Sequence, residues 1–227
     1  MDNQQGNLLN VMDKYFESMA YSIGALTGDG HTRNHIAIRE GGKGFQIVYP
    51  VTISNMDRDC VGRVCWEINK LFDKGYDIVP YTNDNGTQMF RLAIGNCVIN
   101  QFFTYFIREK QYIVDEVYRA SKQAKLDYLA GLFDTDGYVA EVKQTQAKYG
   151  YSWRVGFASR HRTFIEDVTR LMQKMGVKVG SIYTQVSGHG TVIFVIKPNI
   201  RSFIETGCYF NIKRKNDRLN HYLDAMK

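Results

Sequence analysis

The stretch "DYLAGLFDTDGYV", Asp127–Val139, runs from an apolar segment with helical spacing into two aspartates and a glycine. The C-terminal end of a helix carries the negative end of its macrodipole, where carboxylates are disfavoured. Acids at that place call for a compensating positive charge.

A second copy lies in the first half of the chain. "YSIGALTGDGHT", Tyr21–Thr32, matches "YLAGLFDTDGYV" at Tyr21/Tyr128, Gly24/Gly131, Asp29/Asp136 and Gly30/Gly137. Further on, "GTQMF" (Gly86–Phe90) parallels "GTVIF" (Gly190–Phe194) at nearly the same offset. Each half opens with an apolar helix, "LLNVMDKYFESMAYSIGAL" and "VDEVYRASKQAKLDYLAGLF". Two strand-like stretches follow the Asp-Gly: His35–Arg39 and Phe45–Ile53, then Val139–Thr145 and Ser152–Phe157. Next come the helices "DRDCVGRVCWEINKLFDKG" and "HRTFIEDVTRLMQKMG", each with apolar spacing near 3.6 and a closing glycine. A hairpin with a turn at Asn85-Gly86 or Gly188-His189-Gly190 precedes a short last helix and a basic stretch. The order α-β-β-α-β-β-α thus occurs twice, dividing the chain into repeats 1–112 and 113–227.

The whole sequence has 227 residues, 44% hydrophobic and 23% charged, enough for a substantial core. Its net charge of +6 favours anionic partners, nucleic acid first. No apolar run approaches the ~18 residues of a membrane span, and "MDNQQGNLLN" lacks the basic start and apolar core of a signal peptide. A cytoplasmic or nucleoid location is the expectation, with an organelle left open. Cys60, Cys65, Cys97 and Cys208 form no CxxC pair, which favours reduced thiols over zinc or disulfides.

Ala20, Gly24 and Gly28 fall on one face of the first motif helix, and Gly131 and Thr135 on the equivalent face of the second. Small residues at this spacing let two helix backbones approach closely. Ile23, Leu26, Leu129 and Phe133 then pack into their own halves. Pairing the helices brings Asp29 and Asp136 side by side at one end. Two carboxylates at two negative helix ends are unfavourable without a cation. A divalent metal resolves this, and carboxylate oxygens with water and phosphate suit Mg²⁺. Such a pair matches metal-assisted phosphodiester hydrolysis.

"LAGLFDTDG" (129–137) resembles the LAGLIDADG signature, and "SIGALTGDG" (22–30) is similar to its first-repeat form. The resemblance is to two-motif, monomeric LAGLIDADG homing endonucleases. It implies an α+β fold of two pseudo-symmetric αββαββα repeats, with motif helices at the interface and antiparallel sheets forming a DNA-binding saddle. The implied activity is sequence-specific cleavage of both strands at a long asymmetric site in double-stranded DNA, leaving short 3′ overhangs. The implied cofactor is Mg²⁺, with Mn²⁺ substituting and Ca²⁺ binding without supporting cleavage. By matching position, Asp29 and Asp136 hold the metals, and Gly28 and Thr135 add backbone carbonyls. Thr27 stands where the second motif has Asp134, so Asp134 reads as a cap or a residue behind the metal ligands.

The resemblance also implies a lysine near the metals after the last helix of each repeat. Lys110 in "IREKQY" fills that place in the first; Lys213 or Lys215 in "NIKRKND" fills it in the second. It places a small polar residue at the end of the second strand, here Asn55 and Ser159, although a helix N-cap reading fits both equally. Alternation along strands nominates Arg33, His35, Arg39 and Gln46 as DNA-reading residues in the first half. Gln144, Gln146, Ser152, Arg154, Lys178 and Tyr183 are their counterparts in the second. A register shift of one residue would turn all of them to the other face. "GGKG" (41–44) reads as a hairpin loop, since the helix of a phosphate-binding loop is missing.

The same fold also serves RNA maturases, which assist intron splicing, and non-cleaving DNA-binding regulators. The presence of both acids favours cleavage. By resemblance, the setting is a mobile intron or free-standing element, with intron RNA as a partner in the maturase reading.

Overall fold

The computed structural model describes residues 2–32, 35–38, 45–48, 50–143, 151–186 and 190–225. Helix α1 (Asp2–Asp29) enters the first motif after a kink at Met19, whose φ/ψ of −135° and 20° leave the helical region. It is followed by β1 (Gly30–Thr32), β2 (His35–Ile38), β3 (Phe45–Val48), β4 (Val51–Asn55), α2 (Arg58–Phe72), β5 (Val79–Thr82), β6 (Gln88–Ile94) and α3 (Cys97–Ile107). A short α4 (Asp115–Arg119) leads to the second motif helix α5 (Lys122–Thr135). Then come β7 (Gly137–Lys143), β8 (Tyr151–Ser159), α6 (Arg162–Lys174), β9 (Tyr183–Val186), β10 (Val192–Ile196), α7 (Ile200–Thr206) and α8 (Lys213–Ala225).

Each repeat builds an antiparallel four-stranded sheet in the same order, β1-β4-β6-β5 and β7-β8-β10-β9. The first two strands of repeat one differ from the expected His35–Arg39 and Phe45–Ile53. The sheet is entered directly from the motif glycine at Gly30, which pairs with Ile53. β2 and β3 form their own two-stranded ladder. Thr32 pairs with Val51 in one ladder and His35 with Val48 in the other, so one antiparallel register runs through both. Alternation along β4 buries Val51, Ile53 and Asn55 against the helices and turns Thr52 and Ser54 outward.

The segment read as one helix from Val114 to Phe133 is two. Ala120 and Ser121 are extended, and the Ser121 hydroxyl accepts from the Ala124 N–H, capping α5. Glu17 of α1 accepts from both the N–H and the hydroxyl of Ser121, at 2.5 and 2.6 Å.

One core runs through both repeats, from Phe16, Leu26, Val64 and Phe103 to Leu132, Phe133, Phe157, Phe164 and Phe203. Arg63 of α2 ties the repeats together. It donates to Glu67 at 3.0 Å, to Asp127 of α5 at 3.1 Å and to the Tyr209 hydroxyl at 2.8 Å, and it stacks over Tyr21. Glu67 in turn accepts from the N–H and hydroxyl of Ser22. Trp66 stands exposed on α2 with the Lys70 ammonium over its ring, whereas Trp153 packs edge-on against His221 of α8. Among the described residues, no helix is long and apolar enough to cross a membrane.

Candidate functional site

Helices α1 and α5 pack along each other, with their glycines in the seam. A Cβ at Gly24 would strike the Tyr128 carbonyl, and one at Gly131 would strike the Tyr21 carbonyl and the Ala25 nitrogen. At the end of the crossing, Gly28 faces the Thr135 hydroxyl. Two backbones in contact leave room for no side chain, so the seam delivers both helix ends to one place. Ile23, Leu26, Leu129 and Phe133, on the flanks, are buried.

Asp29 closes α1 and Asp136 caps α5. Both line a cavity of about 730 Å³ drawn from the two repeats, with Gly28, His31, Lys110, Ser159, Arg160 and His161 among its walls. Asp29 is held by the Asn55 amide, which donates to Oδ2 at 2.7 Å. Asp136 is held by the Lys110 ammonium at 2.8 Å. Lys110 reaches it because the chain after α3 turns through the left-handed region at Arg108 (φ 43°) and again at Lys110 (φ 59°). Burial and the neighbouring Asp136 push the Asp29 carboxyl up to about 6, against the pull of Asn55, Lys110 and Lys215.

The donor set fits a hard divalent cation. Two carboxylates face a common cavity, and Asp29 ionises with difficulty beside its neighbour, a cost that a cation removes. No group of three or more His, Cys, Asp or Glu side chains forms a metal cluster among the described residues. Water, phosphate or backbone carbonyls would therefore complete the coordination. The last carbonyls of a helix lack intrahelical partners. Lys215 spends its three N–H donors on the carbonyls of Phe133, Asp134 and Gly137, at 2.9, 2.6 and 2.7 Å. The Thr135 carbonyl is left outside that set.

The three consecutive basic residues of α8 take different directions. Lys215 is buried, and burial lowers its pKa while Asp134 opposes the shift. Lys213 is exposed and pairs with Asp217 at 2.7 Å, which corrects its candidacy as a lysine at the metals. Lys215 is the one near the carboxylates, but as a cap on α5 rather than as a group facing the cavity. Asp134 is a buried anchor. It accepts from the Tyr21 hydroxyl at 2.7 Å and from the N–H groups of Asn211 and Ile212 at the start of α8. Thr27, its counterpart, instead donates to the Ile23 carbonyl and meets the Tyr128 hydroxyl. Ser159 lines the cavity and accepts from the His161 N–H at 3.3 Å.

Of the nominated DNA-reading residues, Arg154 sits on β8 opposite Ala140, on the face away from buried Val155 and Phe157. Tyr183 opens β9, with the Lys197 ammonium 4.5 Å from its ring centroid. Lys178 is exposed but lies ahead of β9, beside the isolated bridge of Val179 with Pro198, which corrects its placement on the third strand. His35, Gln46 and Ser152 fall on β2, β3 and β8; their side chains, and all of Arg33, Arg39, Gln144 and Gln146, lie outside the described residues. The sequence reading missed Arg91 on β6. Its guanidinium lies 4.2 Å from the Tyr81 ring centroid and 3.4 Å from the Ser54 hydroxyl, on the outward face. The alternation of "QMFRLAI" held that signal.

The family model for the LAGLIDADG-like domain matches residues 123–206. Three solved structures have the same architecture over nearly the whole chain. The homing endonuclease I-DmoI in complex with DNA and Ca aligns at TM-score 0.60 and 15% identity, covering 91% of this chain and 98% of that one. I-DmoI with DNA and Mn gives 0.57 and 17%, covering 85% and 96%. The I-LtrWI LAGLIDADG homing endonuclease bound to target DNA gives 0.58 and 13%, covering 94% and 91%. This chain has the LAGLIDADG fold. The family model falls on the repeat with the fuller motif, and the structural likeness extends to the other. The comparison with curated proteins returned no match.

Proposed function

We propose that this LAGLIDADG chain is a sequence-specific endonuclease that hydrolyses both strands of double-stranded DNA with a divalent metal. One observation carries the reading: Asp29 and Asp136 stand at paired helix ends in a cavity walled by both repeats. Mg²⁺, with Mn²⁺ as substitute, would activate water and stabilise the departing 3′ oxygen. Asp29, Asp136 and the carbonyls of Gly28 and Thr135 would hold it, with Asn55 aiming Asp29. Lys110 steadies Asp136 in the metal-free protein and would meet phosphate charge at the cavity wall. The outward faces of the two sheets, with Arg91, Arg154 and Tyr183, would lie on the DNA. A monomer of repeats 1–112 and 113–227, leaving short 3′ overhangs at an intron-homing site, completes the proposal, and I-DmoI and I-LtrWI in complex with DNA support it.

The test is incubation of the protein with a library of double-stranded sites and Mg²⁺. The parent is expected to cut both strands of selected sites, and Asp29→Asn and Asp136→Asn each to lose cleavage while still binding. Equal cleavage by either variant would remove the metal assignment. Binding without cutting in Mg²⁺ or Mn²⁺ would favour a non-cleaving regulator or an RNA maturase.

A further inference from the structure

We infer that Arg214 is a positioning residue for the Asp29 carboxylate, acting from the C-terminal repeat through Asp57 and Asn55. This rests on the metal-site reading above and adds a residue that neither the motif nor its flanking lysines contain.

Asp57 occupies the N-cap position of α2, where an aspartate ordinarily bonds back to a first-turn N–H. Here its side chain makes no such bond. The carboxylate instead accepts from Arg214, whose Nε reaches Oδ1 at 2.8 Å and whose Nη2 reaches Oδ2 at 2.7 Å. A two-pronged guanidinium fixes both the place and the plane of the carboxylate. The N–H of Asp57 donates to Asn55 Oδ1 at 2.8 Å. That commits the oxygen end of the amide, so the NH₂ end faces Asp29 and donates at 2.7 Å. A turned amide would set oxygen against carboxylate. The orientation of Asn55 therefore depends on where the Asp57 backbone stands, and Arg214 pins that position from the other repeat.

An ordinary surface pair would share the distance but not the connection. Arg201 and Glu205, one turn apart on the solvent side of α7, form such a pair at 2.8 Å and touch neither acid. The second acid needs no relay, since Lys110 holds Asp136 directly. Ser159 at the end of β8 accepts from His161 N–H instead of reaching an aspartate.

Residues behind metal ligands typically change metal affinity about 10- to 100-fold when removed. The experiment measures Mn²⁺ binding to the purified full chain by electron paramagnetic resonance, with thermal unfolding recorded alongside. Arg214→Ala is expected to weaken Mn²⁺ binding about tenfold. Asp57→Asn, which keeps a good N-cap residue, is expected to do the same should Arg214→Ala unfold. Arg214→Lys stays weak, because a single ammonium cannot replace the fork, and Arg201→Ala binds as the parent does. The double variant Arg214→Ala/Asp57→Asn is no weaker than either single one, since both break one connection. Parent-like Mn²⁺ binding by folded Arg214→Ala or Asp57→Asn, or losses that multiply in the double variant, would overturn the relay. Asp29→Asn separates the two levels. If it weakens Mn²⁺ binding and Arg214→Ala does not, only the relay fails; if Asp29→Asn binds as the parent does, the metal site and the relay fall together.

Discussion

Asp29 is kept where a buried carboxylate is uncomfortable, a cost that a bound cation would remove. Its ordinary value of 3.8 is raised to about 6 in the folded chain, by burial and then by Asp136. A raised acid favours its protonated form. Its contribution to stability is therefore whole below the unfolded value near 4 and is lost as pH rises through about 6. Asp29→Asn should stabilise the metal-free protein at pH 7.5 by about 2 kcal/mol. That gain should vanish near pH 4, as calorimetric unfolding at the two pH values would reveal. Lys215 works in the opposite sense. Replacing it with Met strands three carbonyls, and a loss of about 3 kcal/mol is expected in denaturant unfolding. Lys213→Ala should leave the midpoint unchanged, since its ammonium pairs with Asp217 at the surface. The pairing of Asp29 with Asp136 at one cavity was legible because the motif repeats them. The choice between Lys213 and Lys215 was not. It depends on where α8 begins, and two residues along a helix turn a side chain from solvent to core.

The helix seam was written openly in the sequence, as small residues four apart, because close backbone approach tolerates nothing else. Its sensitivity follows directly. Gly131→Ala puts a methyl against the Tyr21 carbonyl and the Ala25 nitrogen, where backbone has to move. A destabilisation of about 2–3 kcal/mol is expected, with cleavage reduced further than the remaining folded fraction explains, because the two acids are spread apart. Gly75→Ala meets nothing within 4 Å and serves as the control. Strand placement was less legible. The run "HTRNHIAIRE" has strand composition throughout, and alternation alone does not tell where the four-stranded sheet yields to the β2–β3 ladder. The break between α4 and α5 was encoded in Ser121, whose capping hydroxyl the apolar periodicity on either side concealed. Arg214 escaped notice for another reason: its partner Asp57 is distant in sequence and joined to it only by the packing of the repeats.

At the scale of the molecule, the repeats share a core and polar ties that include Arg63–Asp127, Lys110–Asp136, Tyr21–Asp134 and Arg214–Asp57. The chain is expected to unfold in a single cooperative transition, with calorimetric and van't Hoff enthalpies equal. Arg63→Met should lower stability by about 3 kcal/mol, because Glu67 and Asp127 lose their shared cation, while the transition stays single. Two separated transitions in the parent would show the repeats to be independent. The two tryptophans of the chain offer a way to watch this in light. Trp66 is open to solvent on the first repeat and Trp153 is tucked beside His221 on the second. Each repeat thus carries its own emitter, one accessible to a dissolved quencher and one sheltered. With Trp66→Phe or Trp153→Phe, fluorescence would report the melting, or the closing on DNA, of one half at a time.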